Sequence, residues 1–409
     1  MRFDAKFREK ILRRTAEKLP MPETDLAQNL QATALAEMLE SGRTPHELTV
    51  YRGVLTPGEL DAPEVETAAL AFGAAIHDLG WMRRVAVRGA DRFRWLSGMV
   101  SNRVNDLAPN TGAWNLVLNA QGRIQGDLTV WREGSELELE IAADQYEKLL
   151  AHLDRFIIMD DVELVPLTGE AALGLTGPAA VEVLGRLNLP TLEEPLSGVR
   201  IEWNGLDLRI LRGYGVLAPH YEIWVPETGL KKLWKYLHAA GTTPVGCASL
   251  EAFRIAEGIP VYGIDIAERD LPQETSQMRA LNFNKGCYLG QEIVERIHSR
   301  GSVHRHLRQL ELTGPVPTAG AKLTMADGSA AGEITSAAEL LFAGVPTDRS
   351  SSVGWLAAGN RVFALSMMRG EAELSNQPLT YTVGSAAGSA RILAAPPIFN
   401  PEPIGNTQS

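Results

Sequence analysis

Cysteine is scarce: only Cys247 and Cys287 occur in 409 residues. Two thiols cannot form a disulfide scaffold at this length, and they fall short of the four thiolates that usually hold an iron–sulfur cluster. No Cys-x-x-Cys pair is present, and the nearest histidines, His304 and His306, stand two apart and would diverge on a helix, so no self-contained metal site is expected. Long apolar runs are also missing. The longest window, Ala68 to Ile76, is far shorter than the ~20 residues of a membrane-spanning helix. The basic start of the chain is not followed by an apolar core with a small-residue cleavage site, so a cytoplasmic location is expected, with no membrane partner. Positive charge is in deficit, with 39 Lys+Arg against 50 Asp+Glu and a net charge of −11, which argues against direct nucleic-acid binding.

What remains is ordinary globular material, 45% hydrophobic and 22% charged, long enough for two or three packed units. Residues 1–50 read as a helical extension interrupted by Pro20, Pro22 and Pro45, lying on the surface. Glu64 to Leu79 reads as a helix closed by Gly80, Val85 to Gly89 as a strand, and Asp91 as the N-cap of a helix carrying Phe93 and Leu96. From 114 to 141 the pattern is β, with turns at Ala120-Gln121-Gly122 and Glu133-Gly134. Within Glu136–Ile141 the alternation assigns the three glutamates to a solvated face. Helices at 144–156 and 230–238 alternate with strands near 162–164 and 221–225, and a strand ends and a helix opens around Gly174–Ala179. After about residue 305 come short strands near 307–312, 330–336, 353–356, 362–363 and 381–383, with no long helix, which suits a small β-barrel. The expected organisation is an extension (1–50), an α+β core of two subdomains (51–304), a barrel (305–395) and a flexible tail (396–409).

The most informative segment is Lys285-Gly286-Cys287-Tyr288-Leu289-Gly290-Gln291-Glu292. From Gln291 the spacing predicts a helix, with Ile293, Val294 and Ile297 inward and Gly301 just past its end. The loop therefore lies at a helix N-terminus, where free amides and the macrodipole favour an anion. A thiol there, two residues from Lys285, is expected to ionise more readily than a free cysteine. The alternative is a small buried Cys287 with the glycines serving as ordinary turns.

These eight residues resemble the Lys-Gly-Cys-Tyr-x-Gly-Gln-Glu motif of the YgfZ-type folate-binding proteins, relatives of the glycine-cleavage T-protein (aminomethyltransferase) that act in iron–sulfur cluster assembly or repair. The resemblance extends through Asp91-Arg92-Phe93, the hairpin Gly122-Arg123-Ile124 with Asp127, Gly174–Ala179, Arg254–Gly263 and Gly332–Ser336. It implies a T-protein-like intertwined α+β folate-binding core with a C-terminal small β-barrel. It also implies tetrahydrofolate as cofactor, with iron–sulfur client or assembly proteins as partners. Carried over residue by residue, it makes Cys287 and Asp127 the reactive groups. Asp127, Arg254, Lys285, Gly286, Tyr288, Gly290, Gln291 and Glu292 become ligand-binding residues.

This sequence departs from the methyl-carrier enzymes in two places. Their paired hairpin aspartates read Gly126-Asp127 here, and their pterin-binding loop glutamate reads Ala218, with Glu222 a substitute only in another strand register. In the Arg254–Gly263 stretch the glutamate also falls one place late, at Glu257. Asp127 either hydrogen-bonds a pterin or amine, or is simply a strand-start carboxylate. Arg254 either meets a folate carboxylate or pairs with Glu251 or Glu257. On this balance the expected function is a folate-binding accessory factor for iron–sulfur proteins. The alternative is a tetrahydrofolate-dependent aminomethyltransferase.

Overall fold

The structure is a computed structural model that describes residues 30–41, 47–342, 360–375 and 377–399. The expected helices before residue 30, the strand at 353–356 and the tail from residue 400 lie outside the described residues.

Alternating strand residues build two sheets that face each other. In the five-stranded sheet the spatial order is Thr111–Leu118, Ile124–Glu133, Glu136–Ala142, Met82–Arg88 and Glu163–Leu167, all antiparallel. Its outer face buries Leu137, Leu139 and Ile141 beneath Leu96 and Leu149 of the helices Arg92–Met99 and Ala143–Asp154. In the six-stranded sheet the order is Gly198–Trp203, Leu206–Arg212, His220–Pro226, Glu170–Thr176, Ala75–Asp78 and Thr243–Val245, the last pair parallel. Helices Ala34–Glu40, Ala180–Arg186 and Leu230–Ala239 cover its far side around Leu35, Leu184 and Leu233.

The alternate positions of Glu136–Ala142 point at the second sheet rather than at water. Glu138 and Glu140 are 8% and 3% exposed, which corrects the solvated-face expectation, because this sheet is covered on both sides. Glu138 Oε2 accepts from Arg84 and Arg209, one guanidinium from each sheet. Arg84 also pairs with Glu170 and lies over Trp224, while Arg209 lies over Trp131. Glu222, from the other sheet, faces Glu140, and burial raises both carboxyls, Glu140 well above the usual range. The one register observed, with Glu222 opposite Gly174 and Leu211, holds Glu222 in this inter-sheet layer.

The expected helix at 64–79 divides into a helix at Pro63–Phe72 and the strand Ala75–Asp78, broken at Gly73. Residues 30–41 are not a surface attachment. Leu35 and Ala36 are buried, and Asp78 accepts hydroxyls from Thr33 and Thr56 and the Gly80 N–H. The segment 305–392 forms a closed barrel in the order Arg305–Thr313, Arg361–Arg369, Ala330–Leu340, Lys322–Thr324, Leu379–Val383 and Ala386–Ile392, the last strand pairing back to the first. The barrel joins the core where Leu307 and Phe363 pack on Ile255 and Ala256 of the helix Cys247–Ala256. Beyond it, Phe399 packs against Phe342 and Phe363, so the start of the expected tail is docked. No described helix is long and apolar enough to cross a membrane.

Glu138→Ala removes the acceptor that two buried guanidinium groups share, leaving Arg84 with Glu170 and Arg209 with Glu133, and the expected cost is about 3 kcal/mol, read as a lower urea midpoint. Lys322→Ala, at an exposed barrel pair with Glu333, is the control and is expected to cost less than about 1 kcal/mol.

Candidate functional site

The hairpin Thr111–Leu118 and Ile124–Glu133 sets Leu116 opposite Asp127 and Trp114 opposite Thr129, so Trp114, Leu116 and Asp127 share a face. Trp114 Nε1–H donates to Asp127 Oδ2 at 2.9 Å, and Gln145 Nε2–H donates to Oδ1 at 2.9 Å. The Asp127 N–H returns a bond to Gln145 Oε1, also at 2.9 Å. Each carboxylate oxygen thus holds one donor and retains lone-pair capacity for a ligand. Gly126 faces the other way: a Cβ there would lie 2.7 Å from Gln145 Oε1 and 2.8 Å from a Leu149 methyl. An aspartate at 126 would therefore enter the helix packing rather than join Asp127.

Opposite Asp127 stands Arg279, a residue sequence reasoning did not single out. Its guanidinium carbon lies 3.4 Å from the Tyr214 ring centroid and 4.8 Å from that of Trp114. Asp127, Glu257 and Tyr214 act on it electrostatically. Glu257 approaches from the end of the helix Cys247–Ala256, its Oε1 accepting the N–H groups of Val216 and Leu217 at 2.8 and 2.9 Å. The one-place-late glutamate thus grips the Gly215–Ala218 loop from outside. Burial pushes its carboxyl up to about 7. Ala218 is buried in the apolar cluster around Leu70 and Phe253.

The Cys287 loop is pinned on both sides of the thiol. The Lys285 ammonium donates to the carbonyls of Ser97, Val100 and Asn102 at 2.8, 2.6 and 2.7 Å, using all three N–H bonds at the end of the helix Arg92–Met99. It is committed there rather than to Cys287, which corrects the expectation of a thiol activated by that ammonium. Tyr288 is buried with Leu116, Ile124 and Val294. Its N–H donates to Gln291 Oε1, and the Leu289 N–H to Gly98 O. Gly290 adopts φ 81° as the residue before the helix Gln291–Arg300, and a Cβ there would lie 2.4 Å from Asn119 O on the hairpin turn. Between these anchors, Gly286 and Cys287 are exposed, and Glu292 is exposed in the helix's first turn.

Arg254 lies apart from this arrangement. It is buried, and its two terminal nitrogens pair with Glu251 and Asp265. The structure therefore brings together Asp127 and the anchor of the Cys287 loop on one hairpin face, and leaves Arg254 in an internal ion pair between the helix Cys247–Ala256 and the Asp265 turn. Trp114 was detectable as a large aromatic at a strand position facing a carboxylate. Arg279 sits in an irregular segment with no periodicity to announce it.

Lys285→Met leaves three carbonyls without donors, and the expected loss is about 2–4 kcal/mol in urea unfolding. For Glu257 the sign follows from its raised carboxyl: the fold keeps a proton that the unfolded chain releases near pH ~4.5, so stability falls as pH rises from there to about 7. Glu257→Gln keeps the acceptor oxygen and is expected to flatten that part of the stability–pH curve, measured by chemical denaturation at intervals between these values.

Comparison with known proteins agrees with this architecture. The GCVT N-terminal domain family matches residues 49–285, more than half of the chain. An aminomethyltransferase of Frankia alni is 27% identical over 281 residues, covering 66% of this chain and 76% of that protein. A chloroplastic protein of Arabidopsis thaliana is 26% identical over 268 residues, and this match spans 62% of its length. The crystal structure of the glycine cleavage system aminomethyltransferase T from Bartonella henselae superposes with a TM-score of 0.76 at 20% identity, covering 91% of this chain and all of the other. The two-sheet core with its closed C-terminal barrel is the T-protein fold, and the chain belongs to the GCVT family.

Proposed function

We propose that this protein is a tetrahydrofolate-dependent aminomethyltransferase of the T-protein type. The observation that carries the reading is the Asp127 carboxylate, fixed at both oxygens by Trp114 and Gln145 while retaining acceptor capacity beside Arg279. Arg279, stacked on Tyr214 and close to the Trp114 ring, brings a planar cation beside that carboxylate. These residues fit a reduced folate, which when bound supplies the nucleophilic nitrogen that accepts the one-carbon unit. Asp127 orients the reacting amine by accepting its N–H, and Gln145 and Trp114 keep the carboxylate from rotating away. The aminomethyltransferases among the relatives support this reading over the accessory role.

Asp127→Asn preserves shape and removes the charge. Transfer of an aminomethyl carbon to tetrahydrofolate, followed by carbon-13 NMR, is expected to fall by about 10²-fold or more, with folate affinity changed much less. Transfer by the variant at the parent rate would overturn the reading.

A second reading, an accessory role for iron–sulfur proteins, is favoured by one observation: the Cys287 thiol is exposed on a loop held on one side by the Lys285 ammonium and on the other by the buried Tyr288. Under it, Cys287→Ser is expected to lower the activity of cluster-dependent enzymes in cells while leaving aminomethyl transfer intact. Undiminished cluster enzymes would sink this reading.

A further inference from the structure

A charge withdrawn from water normally finds an opposite charge or a set of dipoles. Arg84, Arg209, Arg254 and Lys285 all do so. Arg279 does not. Among the described residues its guanidinium has no hydrogen-bond or ion-pair partner, and its Nε is sealed from solvent without an acceptor. It lies against two π faces, which cannot accept the N–H bonds in the guanidinium plane. Asp127 and Glu257 lie within electrostatic reach, but neither makes a hydrogen bond or ion pair with it: the Asp127 oxygens hold Trp114 and Gln145, and Glu257 Oε1 holds the 216–217 amides. The backbone here is held in place, because Asn102 Nδ2 donates to Arg279 O at 2.8 Å and to Trp114 O at 2.9 Å. Burial lowers the guanidinium to about 10, so it is charged at neutral pH.

A stacked guanidinium presents its donors sideways as a planar fork, and the acceptor matching that fork is a carboxylate. We propose that Arg279 is a carboxylate-binding residue of the cleft, taking an anionic group of the ligand alongside Trp114 and Tyr214. The proposal deepens the folate-transferase reading and rests on it for the identity of the cleft. The carboxylate has two chemical sources: the glutamate tail of the folate, or a small amino acid serving as amine donor. In the second case the site accepts a free amino acid as the carrier of the one-carbon unit.

The test compares parent protein, Arg279→Gln and Arg279→Lys by calorimetric titration with tetrahydrofolate, with tailless 6-methyltetrahydropterin and with sarcosine. The glutamine variant is expected to bind its carboxylate ligand about tenfold or more weakly, with partial recovery in the lysine variant, while the tailless pterin changes less than about twofold. A loss confined to tetrahydrofolate identifies the tail as the source, and a loss confined to sarcosine identifies the amino acid. Unchanged affinity for both carboxylate ligands, or no binding of either by the parent, overturns the proposal. Thermal melting without ligand separates recognition from architecture. Since Arg279 has no polar partner to lose, the glutamine variant is expected to melt within about 2 °C of the parent or above it, and a fall of several degrees would overturn the ligand role. Asp127→Asn serves as the separate control. Arg279-dependent sarcosine binding in a protein whose transfer ignores Asp127 would sustain this proposal while defeating the folate-transferase reading.

Discussion

The arrangement depends on a single carboxylate between two sheets. Glu138 accepts guanidinium bonds from Arg84 in its own sheet and Arg209 in the other, with Trp131 and Trp224 closing over the charges. An ion cluster of this kind gains little over well-packed apolar residues, but it permits few relative positions of the two layers. That restriction matters because the candidate site draws on both. Asp127 and Trp114 belong to the five-stranded sheet, whereas Tyr214 follows a strand of the six-stranded one and Glu257 comes from a helix beside it. A slide of one sheet over the other would separate Asp127 from Arg279's aromatic partner. The nearby Glu140–Glu222 pair adds a second constraint, since two buried carboxyls in contact are compatible only while a proton is retained.

Much of the fold could be read from the sequence, and the failures have physical causes. The hairpin, the helices near 144–156 and 230–238 and the described barrel strands near 307–312, 330–336 and 381–383 followed from the spacing of their apolar residues, even where, as in the hairpin, both faces are largely buried. The glutamates at 138 and 140 misled for the opposite reason. Alternation shows that two faces differ, and cannot say whether the polar face meets water or a second charged layer. The helix expected through Leu79 failed because alanine-rich sequence suits a helix and a buried strand alike, and only Gly73 marks the break.

In the candidate site, the sequence exposed what is encoded in contiguous residues. The Lys285–Glu292 loop and Asp127 were identifiable, and the placement of Gly290 against the hairpin turn supplies a steric reason for that glycine. The direction of the Lys285 side chain was not legible. A lysine two residues from a cysteine suggests an activating charge, but the open carbonyls at the end of a helix distant in sequence attract it more strongly. Arg254 shows the same rule: the Glu251 that local spacing offered and the more distant Asp265 satisfy a charge that the family resemblance had assigned to a ligand. Arg279 escaped notice for want of any local pattern, and its significance rests on what surrounds it in space.

The C-terminal barrel returns its last strand, Ala386–Ile392, to its first, Arg305–Thr313. Closure leaves the described strands of this unit without the open row of amides and carbonyls through which chains zip together. A hydrogen-bonded ribbon shared with a second copy or another protein is correspondingly disfavoured there. Recognition on that side falls mainly to side chains, with the loops between strands free to carry it while the ring beneath them holds its shape.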